Sequence, residues 1–136
     1  FACDEYAVYS NKVIEISPGL ETGVVDSDLK CDIGGEFMTA MNTEIFLAVW
    51  TKVIYDGRFL SYNWTIKADL DTVFFPWRLR VALLDHRAGP NGVYLNNCKF
   101  GLHGPLEVFS RAAVLTWDRG RKQCLEHFTR LCSGPC

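Results

Sequence analysis

The residues with the clearest chemical potential are two carboxylates one position apart, Asp69-Leu70-Asp71, directly behind the apolar run Trp64-Thr65-Ile66-Lys67-Ala68. A β-strand that ends on such a pair projects both side chains toward the crevice at its carboxyl end, where open α/β sheets bind ligands. Hard oxygen donors there suit Mg²⁺ or Mn²⁺, and either ion can bridge to a diphosphate and neutralise its charge. The spacing alone is also that of a solvated loop or a helix cap, so the elements around it decide what it means.

Those elements follow from periodicity and turn chemistry. Residues 1–10 and 12–16 alternate apolar and polar side chains as strands do, and 17–35 is rich in turn formers and reads as a long loop. Apolar positions Phe37, Met38, Met41, Ile45, Ala48, Val49, Val53 and Ile54 recur at steps of three and four, which predicts a core-facing helix over 36–55, stopped by Asp56-Gly57. Residues 64–68 read as the strand that delivers the aspartates. Val73-Phe74-Phe75 then leads to Pro76, at the first turn of a helix reaching about residue 84. Beyond a turn-rich connection over 86–92, residues 93–95 and 106–109 read as strands. Ser110 offers its hydroxyl as the cap of a helix over 111–117, and a last helix covers 121–131. Strands interleaved with helices and no visible boundary predict a single α/β domain, residues 1–136.

Composition narrows the classes of partner. The 136 residues are 49% hydrophobic, enough to bury one core, and 14 basic against 16 acidic residues leave a net charge of −2. That balance supplies no field to attract nucleic acid or an anionic membrane. The longest apolar run, 45–50, is far short of a membrane span. Six cysteines, Cys3, Cys31, Cys98, Cys124, Cys132 and Cys136, suit an oxidising compartment, such as the ER or Golgi lumen or another organelle lumen. Three bridges are possible, in pairings the sequence leaves open. Asn63-Trp64-Thr65 is an N-glycosylation acceptor sequence that runs straight into the strand.

Other constellations compete with bland readings. Cys124, His127, Cys132 and Cys136 could together satisfy tetrahedral zinc, although their spacing is irregular and disulfides account for the cysteines more simply. His86 and His103 lie in turn-rich segments, where histidine is usually a surface residue. Trp77 is either a packing residue or a surface on which a sugar stacks. Arg119 to Lys122 is either solvated surface or a place for a diphosphate or an acidic partner.

Context sharpens the aspartate pair. Residues 64–79, WTIKADLDTVFFPWRL, resemble the D-x-D segment of β-1,3-galactosyltransferase and Fringe-like enzymes, with strand, acidic cluster, apolar triplet, proline and helix in that order. Residues 103–114, HGPLEVFSRAAV, look like the later strand of the same families, where a Gly-rich turn near the acceptor precedes a strand, a serine and a helix. Phe1-Ala2-Cys3-Asp4 is similar to the end of an early strand, and residues 42–50 to the helix before the metal strand. The likeness covers most of the chain and is greatest to a divergent Fringe-like group of algal protists.

The resemblance implies a partial GT-A-like α/β fold, a nucleotide-diphospho-sugar transferase sheet flanked by helices. It implies a UDP-sugar as donor and a glycan or protein hydroxyl as acceptor. Carried over by position, Asp71 is the ligand of Mn²⁺ or Mg²⁺, Asp69 contacts the donor ribose or reaches the metal through water, and Lys67 orients the phosphates. Gly104, Pro105 and Glu107 fall on the acceptor side. The sequence departs from the family where a first strand and helix would cradle the base and where an acidic segment would follow the acceptor strand. After Ser110 the only carboxylates are Asp118 and Glu126, in no matching motif, so no catalytic base is assigned. The expectation is therefore a truncated domain, inactive alone, with two alternatives: the donor half of a metal-dependent hexosyltransferase, or a catalytically silent structural or binding subunit of a larger protein assembly.

Overall fold

The computed structural model describes residues 3–34, 38–87, 89–99, 101–102 and 104–131, with side chains as far as His127. The architecture is mixed α/β, with small sheets and, among the described residues, three α-helices. The chain divides into two compact units, Phe1–Arg58 and Phe59–Cys136.

In the first unit, turn residues set the topology. Ser17-Pro18-Gly19 reverses the chain with Gly19 at φ 78°, which only glycine adopts cheaply, so β2 (Glu15–Ser17) pairs antiparallel with β3 (Leu20–Glu21). β1 (Tyr9–Ser10) pairs parallel with β4 (Gly23–Val24), and β5 (Ile33–Gly34) antiparallel with β6 (Thr39–Ala40). The expected loop over 17–35 therefore carries strands of two or three residues, too short for alternation to register. Buried Thr22 locks this region, because its hydroxyl accepts the Ile14 N–H at 2.9 Å and donates to the Lys12 carbonyl at 2.7 Å.

Helix α1 (Thr43–Asp56) starts later than periodicity predicts. Thr39 and Ala40 are taken by the β5–β6 pairing, and the Met41 N–H donates to the Asp32 carbonyl at 2.8 Å. Glu36 and Phe37 lie outside the described residues. The helix stops where expected, on Gly57 in the left-handed region at φ 68°. Its last residue, Asp56, accepts from the Tyr9 hydroxyl at 3.4 Å. Burial first, and the Asp56 charge second, push the Tyr9 phenol up to about 12, so it stays a donor at neutral pH.

The second unit is built on a three-stranded antiparallel sheet in the order β7–β9–β8, formed by Trp64–Ala68, Leu106–Ser110 and Tyr94–Leu95. β7 and β9 pair over their full length, from Trp64 opposite Ser110 to Ala68 opposite Leu106. Helix α2 (Pro76–Leu83) begins on its proline, and α3 (Arg111–Leu131) packs on β9 and β7. Phe59, Val108 and Val114 form the buried apolar centre. The two last helices expected from the sequence are one. Gly120 interrupts a helix interior at a cost of only about 1 kcal/mol, and Asp118 to Arg121 at 3.1 Å spans it. Among the described residues no helix is long and apolar enough to cross a membrane.

Ser110 joins these pieces. It is fully buried, and its hydroxyl oxygen accepts the Val93 N–H at 2.9 Å and the Ala113 N–H at 3.2 Å, tying the approach to β8 and the first turn of α3 to the central strand. Ser110→Ala leaves both N–H groups without that acceptor, at about 1–3 kcal/mol each where no water replaces it. A loss of about 2–4 kcal/mol in urea unfolding is expected, and a loss below about 0.5 kcal/mol in the same measurement would count against this role.

Candidate functional site

The candidate site forms where β7 ends. The ladder continues one step past the strands, because the Asp69 N–H donates to the Pro105 carbonyl at 3.0 Å. The chain then turns tightly, with the Thr72 N–H donating to the Asp69 carbonyl at 3.0 Å. The Thr72 hydroxyl donates to the Pro105 carbonyl as well, at 2.9 Å. Leu70 and Asp71 occupy the outside of this turn, and both are exposed. Asp71 thus presents its carboxylate to solvent from a turn fixed at both ends.

Lys67 and Asp69 are two residues apart and so face the same side. The Lys67 ammonium lies 2.6 Å from Asp69 Oδ1 and donates to the Gly104 carbonyl, also at 2.6 Å. It therefore clasps the D-x-D turn to the glycine turn. Glu107 stands directly opposite Lys67 in the ladder. Burial raises the Glu107 pKa above its ordinary value, Lys67 opposes that rise, and the Asp69 charge adds to it. A carboxylate held this way takes up a proton more readily than an ordinary one.

Lys67, Asp69, Gly104, Pro105 and Glu107 are therefore brought together, although the sequence holds their two groups more than 30 positions apart. Asp71 joins them through the backbone of the turn. The crevice at the end of a parallel strand is not the setting, since β7 pairs antiparallel. Two carboxylates reach this corner because the glycine-proline turn before β9 lies against the turn after β7. Thr72 and Asn97 escape a reading of the sequence. Thr72 adjoins the acidic pair and could have been found as a turn hydroxyl, whereas Asn97, whose side-chain amide donates to the Leu106 carbonyl at 2.6 Å, sits in a loop without pattern.

Among the described residues, no three His, Cys, Asp or Glu side chains converge to hold a metal. Two acidic side chains with hard oxygens still fit a divalent ion that completes its shell with water and ligand phosphates, as Mg²⁺ commonly does. One oxygen of Asp69 is engaged by Lys67, which makes exposed Asp71 the freer donor.

Among the described residues, Cys3, Cys31, Cys98 and Cys124 form no disulfide with one another, while Cys132, Cys136 and His103 lie outside the described residues. Cys124 and His127 are exposed on α3. Arg119 and Arg121 bond within that helix, to the Leu115 carbonyl and to Asp118. Trp77 is 57% exposed and meets Phe75 edge-on at 5.3 Å between ring centroids. Asn63 is exposed, but the Thr65 hydroxyl of the acceptor sequence is buried without a partner among the described residues.

Comparison of the chain with family models, with curated proteins and with solved structures gives no match.

Folding disfavours the charged form of Glu107, so its contribution to stability is fully present below its unfolded-state pKa, near the ordinary 4.5, and is lost as pH rises through the raised folded value. Glu107→Gln removes that dependence. Thermal unfolding across pH should show the variant gaining stability on the wild type between acid and neutral pH. A wild-type advantage that grows with pH would mean that Lys67 outweighs the burial.

Proposed function

We propose that this chain carries the donor half of a GT-A-like, metal-dependent hexosyltransferase site, binding a UDP-sugar for transfer to a glycan or protein hydroxyl in the lumen of the secretory pathway or another organelle. The observation that carries the reading is the clasp of Lys67 on both Asp69 Oδ1 and the Gly104 carbonyl, which joins the proposed donor-side and acceptor-side residues at one sheet end.

In this reading Asp71 is the main ligand of Mn²⁺ or Mg²⁺, and Asp69 supports it directly or through water. The bound ion supplies charge neutralisation for the diphosphate. Lys67 holds Asp69 in place and adds positive charge where phosphates would lie. Gly104 and Pro105 leave the acceptor side without bulky side chains, and Glu107 lines it with a partly buried carboxylate.

A specific observation favours the second reading, a scaffold subunit. Trp77, Val81 and Leu84 follow one another at helical spacing on α2 and its end and are 57%, 67% and 79% exposed, beside Val73 at 79%. Such an apolar stripe is what a larger assembly would cover.

Calorimetric titration with UDP and Mn²⁺ separates the two. Saturable binding that requires Mn²⁺ and weakens at least about tenfold in Asp71→Ala, roughly the loss of one charge-assisted interaction, is expected of a donor site. A folded protein that binds no UDP with Mn²⁺ leaves the scaffold as the better account.

A further inference from the structure

At the other end of the β7–β9 ladder lies a half-open cavity of about 400 Å³, lined by Asn63, Trp64, His86, Arg87, Gly89, Arg111 and Ala112. Its volume is within the range of small-molecule sites. Among the described residues, the lining holds two guanidinium groups and an imidazole and no carboxylate, so its charge is one-sided. The two sites are separated by the length of the strand, because Trp64 pairs with Ser110 here and Ala68 with Leu106 at the aspartate turn.

The basic groups are held in different ways. Arg111 is anchored, since Nη1 donates to the Leu60 carbonyl at 2.8 Å and its backbone N–H to the Asn63 carbonyl at 2.9 Å. A guanidinium has five N–H donors, so others remain for a ligand. The side chains of His86 and Arg87 have no hydrogen-bond or ionic partner among the described residues. The Ala112 N–H, in the first turn of α3, also lacks an acceptor there, whereas the N–H groups on either side of it are taken by Asn63 and Ser110.

The connection that carries His86 and Arg87 is tied to α3 at its far end. Thr116 Oγ1 donates to the Asn91 carbonyl at 3.1 Å, and Gly92, at φ 88°, approaches α3 so closely that a Cβ would stand 2.2 Å from the Ala113 nitrogen. The wall of the cavity is thus set against the helix by a contact only glycine permits.

We propose that this cavity binds a phosphate monoester of a small organic molecule, with its oxyanion held by Arg87, Arg111 and the Ala112 N–H, and its organic part against Trp64. Arginine forks and a free backbone N–H match tetrahedral oxyanions, and the half-buried indole offers an apolar face to whatever the phosphate is attached to. The site is independent of the aspartate turn and does not require the chain to act on nucleotide sugars.

The test is an amide and indole NMR titration of the full chain with phenyl phosphate and, separately, inorganic phosphate at constant ionic strength. Both should shift the Ala112 amide, phenyl phosphate should also shift the Trp64 indole and bind several-fold tighter, and Arg87→Ala should weaken both at least about tenfold. Arg87 is exposed and bonds to no described residue, so the variant is expected to keep the wild-type spectrum elsewhere. Asp71→Ala should bind phenyl phosphate as the wild type does. Shifts scattered over the surface lysines and arginines, equal affinity for the two phosphates, or undiminished binding by Arg87→Ala would each overturn the proposal.

Discussion

The second unit depends on the antiparallel pairing of β7 with β9. That ladder puts Trp64 beside Ser110 at one end and Ala68 beside Leu106 at the other, and each end then acquires its own chemistry. At the Ser110 end a buried hydroxyl with two N–H donors fixes the start of α3, so the helix has one position on the sheet. At the Ala68 end the backbone hydrogen bonding runs on through Asp69 and Pro105, so the two irregular turns are joined to each other.

Charge is divided between those ends. Around the aspartate turn, Lys67 is embedded among Asp69, Glu107 and the Gly104 carbonyl, and its side chain is only 12% exposed. A nearly buried ammonium is tolerable because acceptors replace its water, and a half-buried Glu107 is tolerable because Lys67 faces it. The excess of carboxylates over ammonium there favours a cation. At the opposite end arginine and histidine gather with no carboxylate among the described residues of the lining, which favours an anion.

The first unit is organised by other means. Its strands are two or three residues long, and Thr22 supplies the cross-link that longer ladders would otherwise provide. The Tyr9 hydroxyl bond to Asp56 joins β1 to the end of α1, and burial keeps that phenol protonated well beyond neutral pH.

The sequence by itself determined β7, α2 with its proline start, β9, the Ser110 cap and the glycine stop of α1, because each is a local preference of the backbone written in adjacent residues. It also singled out Asp69, Asp71, Lys67, Gly104, Pro105 and Glu107, but as two separate groups joined only by resemblance. It missed the short strands of residues 17–35 and the late start of α1, since pairs of two residues carry no period and the strand partner of Thr39 lies outside any helical window. Tertiary structure alone decided that Lys67 bonds Asp69 and Gly104 together, that Glu107 is buried enough to hold its proton more tightly, and that His86, Arg87 and Arg111 share one cavity. Those are long-range contacts. Their energy depends on burial and on strand register, neither of which any local stretch of sequence specifies.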